Sequence, residues 1–527
     1  MSPPEGPALP PRPGAEETTP AAGTSLPVAP PIGPGAAGTA PRKESPETLV
    51  LFGVPFHNVT FDEALAGIAA RARSGRPSQI VTSNLDFIFQ AWKDPEMHRI
   101  HLEADLVFAD GWPPVTFSRF FGPPLKERVA GSDLVPHLAS VARDHGLSIY
   151  ALGGKPGVAQ EAMRILAERC PGLRVAGCES PPLQPLLEMD HLALCRRIEE
   201  AKPDILLVAF GAPKQDKWIR MNRSRIGAPV ALGVGGSLDF IAGTQNRAPR
   251  WIQRIHMEWF WRLASQPTRL FRRYSSNLVF LMMMLGRLMW VRLSPPGRGA
   301  GSPVPDGPEW DSGRVARMTL ARLPDAQTAA EFCARHEARA REAVPVLDLL
   351  GCTWLNSLEL GAVARLARAA GQGGRPLLLA GVSSRVRRLL RLFRLDRFVE
   401  IATSPEAWAR RLEDLGRPSA GRAAEWTTES DLVRILLPEQ FEGDGAWGLE
   451  REFLDRTARG EFRRVVVDGR RLRYIDSSGV HFLKTVQGDL GGKPGAAMTL
   501  RSFPRPVLEI LRREGLGSIP VDAAGSE

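Results

Sequence analysis

The sequence predicts an α/β chain: a Rossmann-like parallel-sheet domain followed by two small α/β domains. Three observations carry that expectation. From about Thr48 short apolar runs alternate with amphipathic stretches; polar, glycine-rich clusters fall just after the apolar runs; and one strand–turn–helix order occurs twice near the C-terminus. A length of 527 residues exceeds what one core holds, while 43% hydrophobic and 24% charged residues are ordinary globular proportions.

Residues 1–46 are rich in Pro, Ala and Gly and are expected to form a disordered tail. They show no positive segment followed by an apolar core, the pattern of a signal peptide. The five cysteines, Cys170, Cys178, Cys195, Cys333 and Cys352, form no CxxC pair, which fits a reducing compartment rather than a disulfide or zinc framework.

Residues 47–246 form the expected core domain. Strands are predicted at Gln79–Val81, Leu106–Ala109, Ser148–Leu152, Leu173–Gly177, Ile205–Phe210 and Val230–Val234. Helices fall between them at Phe61–Arg73, Leu134–His145, Gly157–Arg169 and Leu192–Ala201. Continuous apolar strands alternating with helices imply a parallel sheet covered on both faces. The clusters Thr82–Asn84, Asp110–Gly111, Gly153–Gly157, Gly211–Gln215 and Gly235–Asp239 then converge beyond the carboxyl ends of the strands, where ligands of open α/β sheets lie.

Residues 247–293 carry most of the chain's net charge of +10: from Arg247 to Arg298 there are ten arginines and one acid, Glu258. Trp251, Trp259, Trp261 and Trp290 and the apolar run Leu278–Leu285 lie in the same stretch. Arginine interleaved with tryptophan suits an anionic membrane surface. The run is interrupted by Arg287 and is shorter than the ~20 residues that span a bilayer, so an interfacial helix is expected; an amphipathic helix packed on the protein's own core fits equally. No nucleic-acid motif accompanies the charge, and nucleic acid is not an expected partner. A truncation near Asn246 is expected to leave a folded core.

A Pro/Gly/Ser linker, 294–313, leads to the first small domain, 314–416, with strands Val344–Leu349 and Pro376–Leu379 around a helix Leu358–Ala370. The second, 425–527, repeats the order: strand Arg464–Asp468, then Asp476-Ser477-Ser478-Gly479, a helix from Val480, strand Ala497–Arg501 and a helix from Pro506.

General-base work needs a carboxylate facing a cleft, and holding an anion needs cationic or N–H donors. Asp110 follows an apolar strand and precedes Gly111, where a carboxylate can face a cleft, although an aspartate there also fits a helix cap. Gly153–Gly157 opens a helix with backbone N–H groups free for an anion, although such turns also serve packing. Asp239 after Gly235-Gly236 reads as a turn or cap residue before a substrate contact. His98, His101 and His256 have no metal-ligand partners at suitable spacing and read as surface or core residues.

In order along the chain stand Thr82-Ser83-Asn84, Ala109-Asp110-Gly111, Arg128-Val129-Ala130-Gly131-Ser132-Asp133, Gly211-Ala212-Pro213-Lys214-Gln215-Asp216, Gly233-Val234-Gly235-Gly236-Ser237-Leu238-Asp239, Arg247-Ala248-Pro249 and Glu258-Trp259-Phe260-Trp261-Arg262. This series resembles the WecG/TagA/CpsF family of glycosyltransferases over roughly residues 48–275. The resemblance implies an inverting, metal-independent transferase with no cofactor beyond its UDP-sugar donor. It would move N-acetylmannosamine or a related hexose to a polyprenyl-diphosphate-linked saccharide, peripherally on the inner face of the cytoplasmic membrane. It further implies Asp110 as general base, Thr82, Asn84 and Gln215 as substrate-positioning groups, and Arg262, Arg269 and Arg272 as cations that neutralise the UDP leaving group. No DxD metal motif is present in the domain. Arg273, Arg287 and Arg292 read equally as lipid-headgroup contacts. Asp216 stands where the family more often has glutamate, which implies a carboxylate at the pocket edge. Trp112-Pro113-Pro114 is bulkier than in many members.

Tyr474-Ile475-Asp476-Ser477-Ser478-Gly479 resembles the signature of STAS domains, which implies Ser477 as a phosphorylation site and a kinase or protein partner for these STAS-like domains. The first copy is degenerate: Asn356 stands for the aspartate before Ser357, and a plain helix-capping serine fits there. The alternative to an enzyme is a decayed transferase scaffold serving STAS-mediated signalling.

Overall fold

The computed structural model describes residues 46–245, 248–249, 252, 260–261, 263, 267–295, 315–320, 322–401, 411 and 423–522. Apart from Pro46, Ser294 and Pro295, the expected tail and linker lie outside them, as do Arg262 and His256.

The chain opens with a hairpin, β1 (Thr48–Leu51) and β2 (Val54–His57), paired antiparallel with Leu51 opposite Val54. Its two-residue turn, Phe52-Gly53, has positive φ at both positions (50° and 89°), the turn that matches the twist of paired strands. Gly53 is required: a Cβ there would lie 2.2 Å from the carbonyl oxygen of Phe393.

Six parallel strands form the central sheet: β3 (Ser78–Ser83), β4 (Leu106–Ala109), β5 (Ser148–Gly153), β6 (Arg174–Glu179), β7 (Ile205–Ala209) and β8 (Val230–Gly233), in spatial order β4-β3-β8-β7-β5-β6. All but the edge strand β6 are buried throughout, as a sheet covered on both faces requires. One face is covered by α1 (Phe61–Ser74), α5 (Gly131–Asp144), α6 (Val158–Arg169) and α9 (Ser237–Ile241). The other carries α7 (His191–Ala201) and α8 (Lys214–Asn222), whose Trp218 is fully buried. Local chemistry sets the starts. Thr60 and Glu63 form a reciprocal capping box on α1, Asn84 caps α2 (Leu85–Lys93), and Asp94 caps α3 (Pro95–Glu103) with proline in the first turn. The short helix α4 (Trp112–Ser118) accommodates Pro113 and Pro114 in the same way.

α10 (Pro267–Leu293) is longer than its apolar run suggested. Phe271–Leu293 meets the length and composition for crossing a membrane, which corrects the expectation of a segment too short to span. One face is nevertheless packed on the protein, with Asn277, Phe280, Leu281, Met284 and Val291 buried, while Phe271, Leu278, Val279, Met282, Met289, Trp290 and Leu293 are exposed. Both readings of the segment therefore meet in one helix: an inner face on the core and an outer apolar face.

The first small domain pairs β9 (Val315–Thr319), β10 (Val344–Asp348), β11 (Leu377–Ala380) and β12 (Val399–Ile401) in a parallel sheet of order β12-β11-β10-β9. Its helices are α11 (Ala326–Glu342), α12 (Ser357–Gln372) and α13 (Ser384–Leu392). The second has β13 (Glu425–Glu429), β14 (Leu432–Leu436), β15 (Gln440–Phe441), β16 (Arg464–Asp468), β17 (Tyr474–Ile475), β18 (Ala497–Arg501) and β19 (Val521–Asp522). Its main sheet has order β13-β14-β16-β18-β19, with helices α14 (Gly443–Ala458), α15 (Ser477–Gly491) and α16 (Arg505–Arg513). Strands β14, β16, β18 and β19 repeat the parallel order β9, β10, β11, β12, so the duplication legible in the sequence is a duplication of topology.

The first small domain does not stand apart. A single apolar cluster joins the β1–β2 hairpin, α2, α3, α10 and this domain. The contact is close enough that a Cβ on Gly361 would lie 2.0 Å from the Thr48 carbonyl oxygen. A cut near Asn246 therefore removes the partner of the hairpin.

Candidate active site at the carboxyl rim of the central sheet

Parallel pairing sets Thr82 beside Phe108 and Ser83 beside Ala109, so β3 and β4 end together. The chain leaves them at Asn84 and Asp110, and the Asp110 N–H donates to the Ser83 carbonyl (3.0 Å). Asp110 is half-buried; the turn after it runs through Gly111 at φ 102°, and a Cβ on Gly111 would lie 3.8 Å from that of Asn84. Across the rim, the start of α5 meets the same place: a Cβ on Gly131 would lie 3.4 Å from Thr82 Oγ1 and 3.6 Å from Ser237 Oγ. The structure thus gathers Thr82, Asn84 and Asp110 at one end of the sheet and adds Ser237, which the sequence reading did not single out.

Gln215 serves the same rim from beneath. It is buried, and its Oε1 accepts the Gly235 N–H (3.0 Å), pinning the glycine turn after β8 to the first turn of α8. The end of β8 packs closely on this side chain: a Cβ on Gly233 would lie 2.5 Å from Gln215 Nε2. Asn84 Oδ1 accepts the Asp86 and Phe87 N–H groups (3.0 and 3.3 Å), so the residue expected to position substrate also starts α2. Asp216 is not at a pocket edge, which corrects that expectation. It is fully buried, and burial pushes its carboxyl up to about 7. Asp239 holds the turn after α9 through Thr244 Oγ1 (3.1 Å). His98 and His101 are core residues, bonded to the Gly53 carbonyl (2.9 Å) and the Met97 carbonyl (2.7 Å), and burial lowers them to about 3 and about 4. His101 also lies 3.1 Å from Ser83 Oγ, behind the rim. Among the described residues no group of three or more His, Cys, Asp or Glu is arranged to hold a metal.

The basic appendage reaches this rim through Asp86. Arg273 pairs with Asp86 Oδ2 (2.7 Å), and Asn277 Nδ2 donates to Asp86 Oδ1 (3.3 Å). The first turns of α10 are thereby tied to the helix that starts at Asn84. Arg273, open to a lipid-headgroup reading from sequence, is engaged in this internal pair. Arg272 is exposed one position earlier; Arg269 lies on α10 with its side chain outside the described residues, and Arg262 is outside them altogether. Asp86 was missed because an acid in a helix's first turn reads as ordinary dipole compensation.

The two serines of the small domains differ from a capping role. Asp476 and Asn356 are the caps; Ser477 and Ser357 are the first helical residues. Ser477 is buried against α3: its N–H donates to Glu96 Oε1 (3.0 Å) and its hydroxyl to Glu96 Oε2 (2.8 Å), while Lys217 of α8 reaches the same carboxylate (2.9 Å). Burial first, and Glu96 second, hold the Asp476 carboxyl above its usual range. Around this point Arg99 pairs with Glu442 (2.7 Å), Arg220 with Glu103 (2.5 Å), and Trp447 Nε1 donates to the Met221 carbonyl (2.7 Å). The second small domain is therefore docked on α3 and α8.

Comparison with known proteins bears on this arrangement. The family model "Glycosyl transferase WecG/TagA/CpsF family" matches residues 49–293. An N-acetylglucosaminyldiphosphoundecaprenol N-acetyl-beta-D-mannosaminyltransferase of Bacillus subtilis (strain 168) is 32% identical over 190 residues, covering 36% of this chain and 72% of the relative. The protein of the same name from Staphylococcus aureus (strain MRSA252) is 27% identical over 226 residues, covering 42% of this chain and 87% of the relative. A solved structure of the anti-sigma factor antagonist SpoIIAA in its unphosphorylated form aligns at 18% identity and TM-score 0.19, covering 20% of this chain and 90% of that one. Its phosphorylated form aligns at 17% and 0.18, covering 20% and 93%. Scores of that size carry nothing about function.

Proposed function

This chain belongs to the WecG/TagA/CpsF family of glycosyltransferases, and from that premise we propose that it moves an N-acetylmannosamine-type or related hexosyl group from a UDP-sugar to a polyprenyl-diphosphate-linked saccharide in cell-surface polysaccharide synthesis. The observation that carries the reading is the convergence of Thr82, Asn84 and Asp110 at the ends of β3 and β4, with the basic α10 fastened beside them through Asp86. In the proposed step Asp110 takes the proton of the acceptor hydroxyl, and that oxygen bonds to the anomeric carbon from the face opposite UDP. The bond from the anomeric carbon to the diphosphate oxygen breaks, and UDP leaves with the electron pair. Guanidinium groups from Arg262, Arg269 and Arg272 stabilise the charge that develops on it. Thr82 and Asn84 position the sugars, and Gln215 acts as a positioning residue by holding the Gly235 turn.

Work at the membrane face fits the exposed outer face of α10 and its arginines. Regulation by the second small domain fits its grip on α8, the helix that begins with the Gln215 contact. Ser477 is sealed by Glu96 in the docked state, so a kinase reaches its hydroxyl only after that contact opens.

A donor screen tests the proposal: UDP-sugars offered with a polyprenyl-diphosphate-linked sugar, with product read by mass spectrometry. Asp110→Asn is expected to abolish transfer while leaving the thermal transition in place. Near-normal turnover by that variant removes Asp110 as the base.

A further inference from the structure

A cavity of about 220 Å³ lies where the loop after α4, the end of α10 and the first small domain meet. Its lining mixes polar groups with apolar side chains, Phe121, Leu288, Trp354, Leu360, Leu389 and Phe393 among them. Packing between domains keeps them in place: the Phe121 ring meets Phe52 (5.1 Å) and Phe393 (6.3 Å), and the Ser357 N–H donates to the Phe121 carbonyl (3.1 Å). Two polar groups belong to the lining. Arg292 is exposed, and Ser357 is 2% exposed with a buried hydroxyl that finds no hydrogen-bond partner among the described residues. A buried hydroxyl left unmatched is costly, so one facing a cavity marks a place for a ligand oxygen.

We propose that this cavity seats the head end of the acceptor's polyprenyl chain, with the first isoprene units against the aromatic walls and Arg292 and the Ser357 hydroxyl serving the oxygens at the chain's head. The inference rests on the acceptor class proposed above. Three features favour that occupant. A dry cavity of ~150 Å³ holds a benzene ring, so this one suits on the order of ten carbon atoms, or about two isoprene units. Its distance from Asp110 is set by α4, a helix of 7 residues and hence roughly 10 Å long, leaving room for a sugar and a diphosphate between base and chain. Leu288 and Arg292 are also continuous with the exposed Met289, Trp290 and Leu293 of α10, so a chain leaving the cavity meets the outer apolar face. Ser357 of the degenerate first copy lies in a wall shared with the transferase.

The test uses the full chain, a polyprenyl-diphosphate-linked acceptor and a second acceptor carrying a methyl group in place of the prenyl chain. Leu288→Trp, on a half-buried wall position, is expected to raise the ratio of KM for the prenyl acceptor to KM for the methyl acceptor roughly tenfold. A photoactivatable polyprenyl phosphate is expected to label the tryptic peptide Phe120–Lys126 and the one containing Trp354. An unchanged KM ratio, or labelling confined to the outer face of α10, overturns the cavity as the chain's seat. Absence of turnover by the wild-type chain on both acceptors instead removes the acceptor class on which the inference rests, and the labelling still reads the cavity directly.

Discussion

Ser477→Asp is the sharpest perturbation of the contact between the second small domain and the transferase. Glu96 holds Ser477 twice, at the backbone N–H (3.0 Å) and at the hydroxyl (2.8 Å). A carboxylate in place of the hydroxyl sets two like charges about 4 Å apart, worth about 4 kcal/mol at an effective dielectric constant of ~20. Lys217, which sits 2.9 Å from Glu96, lies at about 5–6 Å from the new charge and offsets about 3 kcal/mol of that. The hydroxyl's bond to a charged acceptor, about 1.5–3 kcal/mol, is lost as well. The net cost is about 2–4 kcal/mol, roughly a 30- to 900-fold shift toward the open contact. Hydrogen–deuterium exchange on the full chain reads this at the peptides containing Glu96 and Ser477. Both are expected to exchange faster in Ser477→Asp, and less so in Ser477→Ala, which forfeits the hydroxyl bond without adding charge. Wild-type protection at both peptides in Ser477→Asp would refute the role given to Glu96.

Asp216 supplies a pH dependence whose sign follows from its burial. With its carboxyl raised to about 7, the folded chain holds a proton that the unfolded chain has released above about pH 4, so this group's contribution to stability falls as pH rises from about 4 to 7 and is level above that. Asp216→Asn should remove up to about 4 kcal/mol of that slope, read as the difference in melting temperature between pH 5.5 and 8 for variant and wild type; equal slopes would count against a neutral buried Asp216. Asp86→Asn loosens the pair with the half-exposed Arg273, worth at most about 1 kcal/mol of stability. It is nevertheless expected to lower kcat/KM for transfer, because α10 is held beside Asn84 by that carboxylate; unchanged kinetics would detach α10 from the site.

The residues that sequence reading placed well are those whose role is local. The parallel strands announce themselves as continuous apolar runs, and Leu106–Ala109 has the predicted boundaries because Asp105 and Asp110 bracket it. Thr82, Asn84 and Asp110 lie at one end of the sheet because β3 and β4 pair with Ser83 beside Ala109. The hairpin β1–β2 was missed for two physical reasons. Its turn is Phe52-Gly53 rather than an asparagine–glycine pair, with the strained Phe52 backbone held by Phe121 and Phe393; and its strands are covered by a domain beginning some 260 residues later, so they show no alternation. Glu96 was illegible for a related reason. In Asp94-Pro95-Glu96 it reads as a solvated first-turn acid, yet its partner is Ser477, 381 residues away. Nothing in either local pattern names the other. The same limit explains Arg273, whose charge suited a lipid surface until the fold brought it to Asp86. A motif identifies a residue's chemistry, but whether that chemistry meets solvent, substrate or another domain is decided by packing. α8 makes the point concretely: its first turn holds Gly235 at the rim, Lys217 in its middle meets Glu96, and Met221 near its end accepts Trp447. A helix so placed touches both the rim and the second small domain, through three contacts that no single stretch of sequence contains.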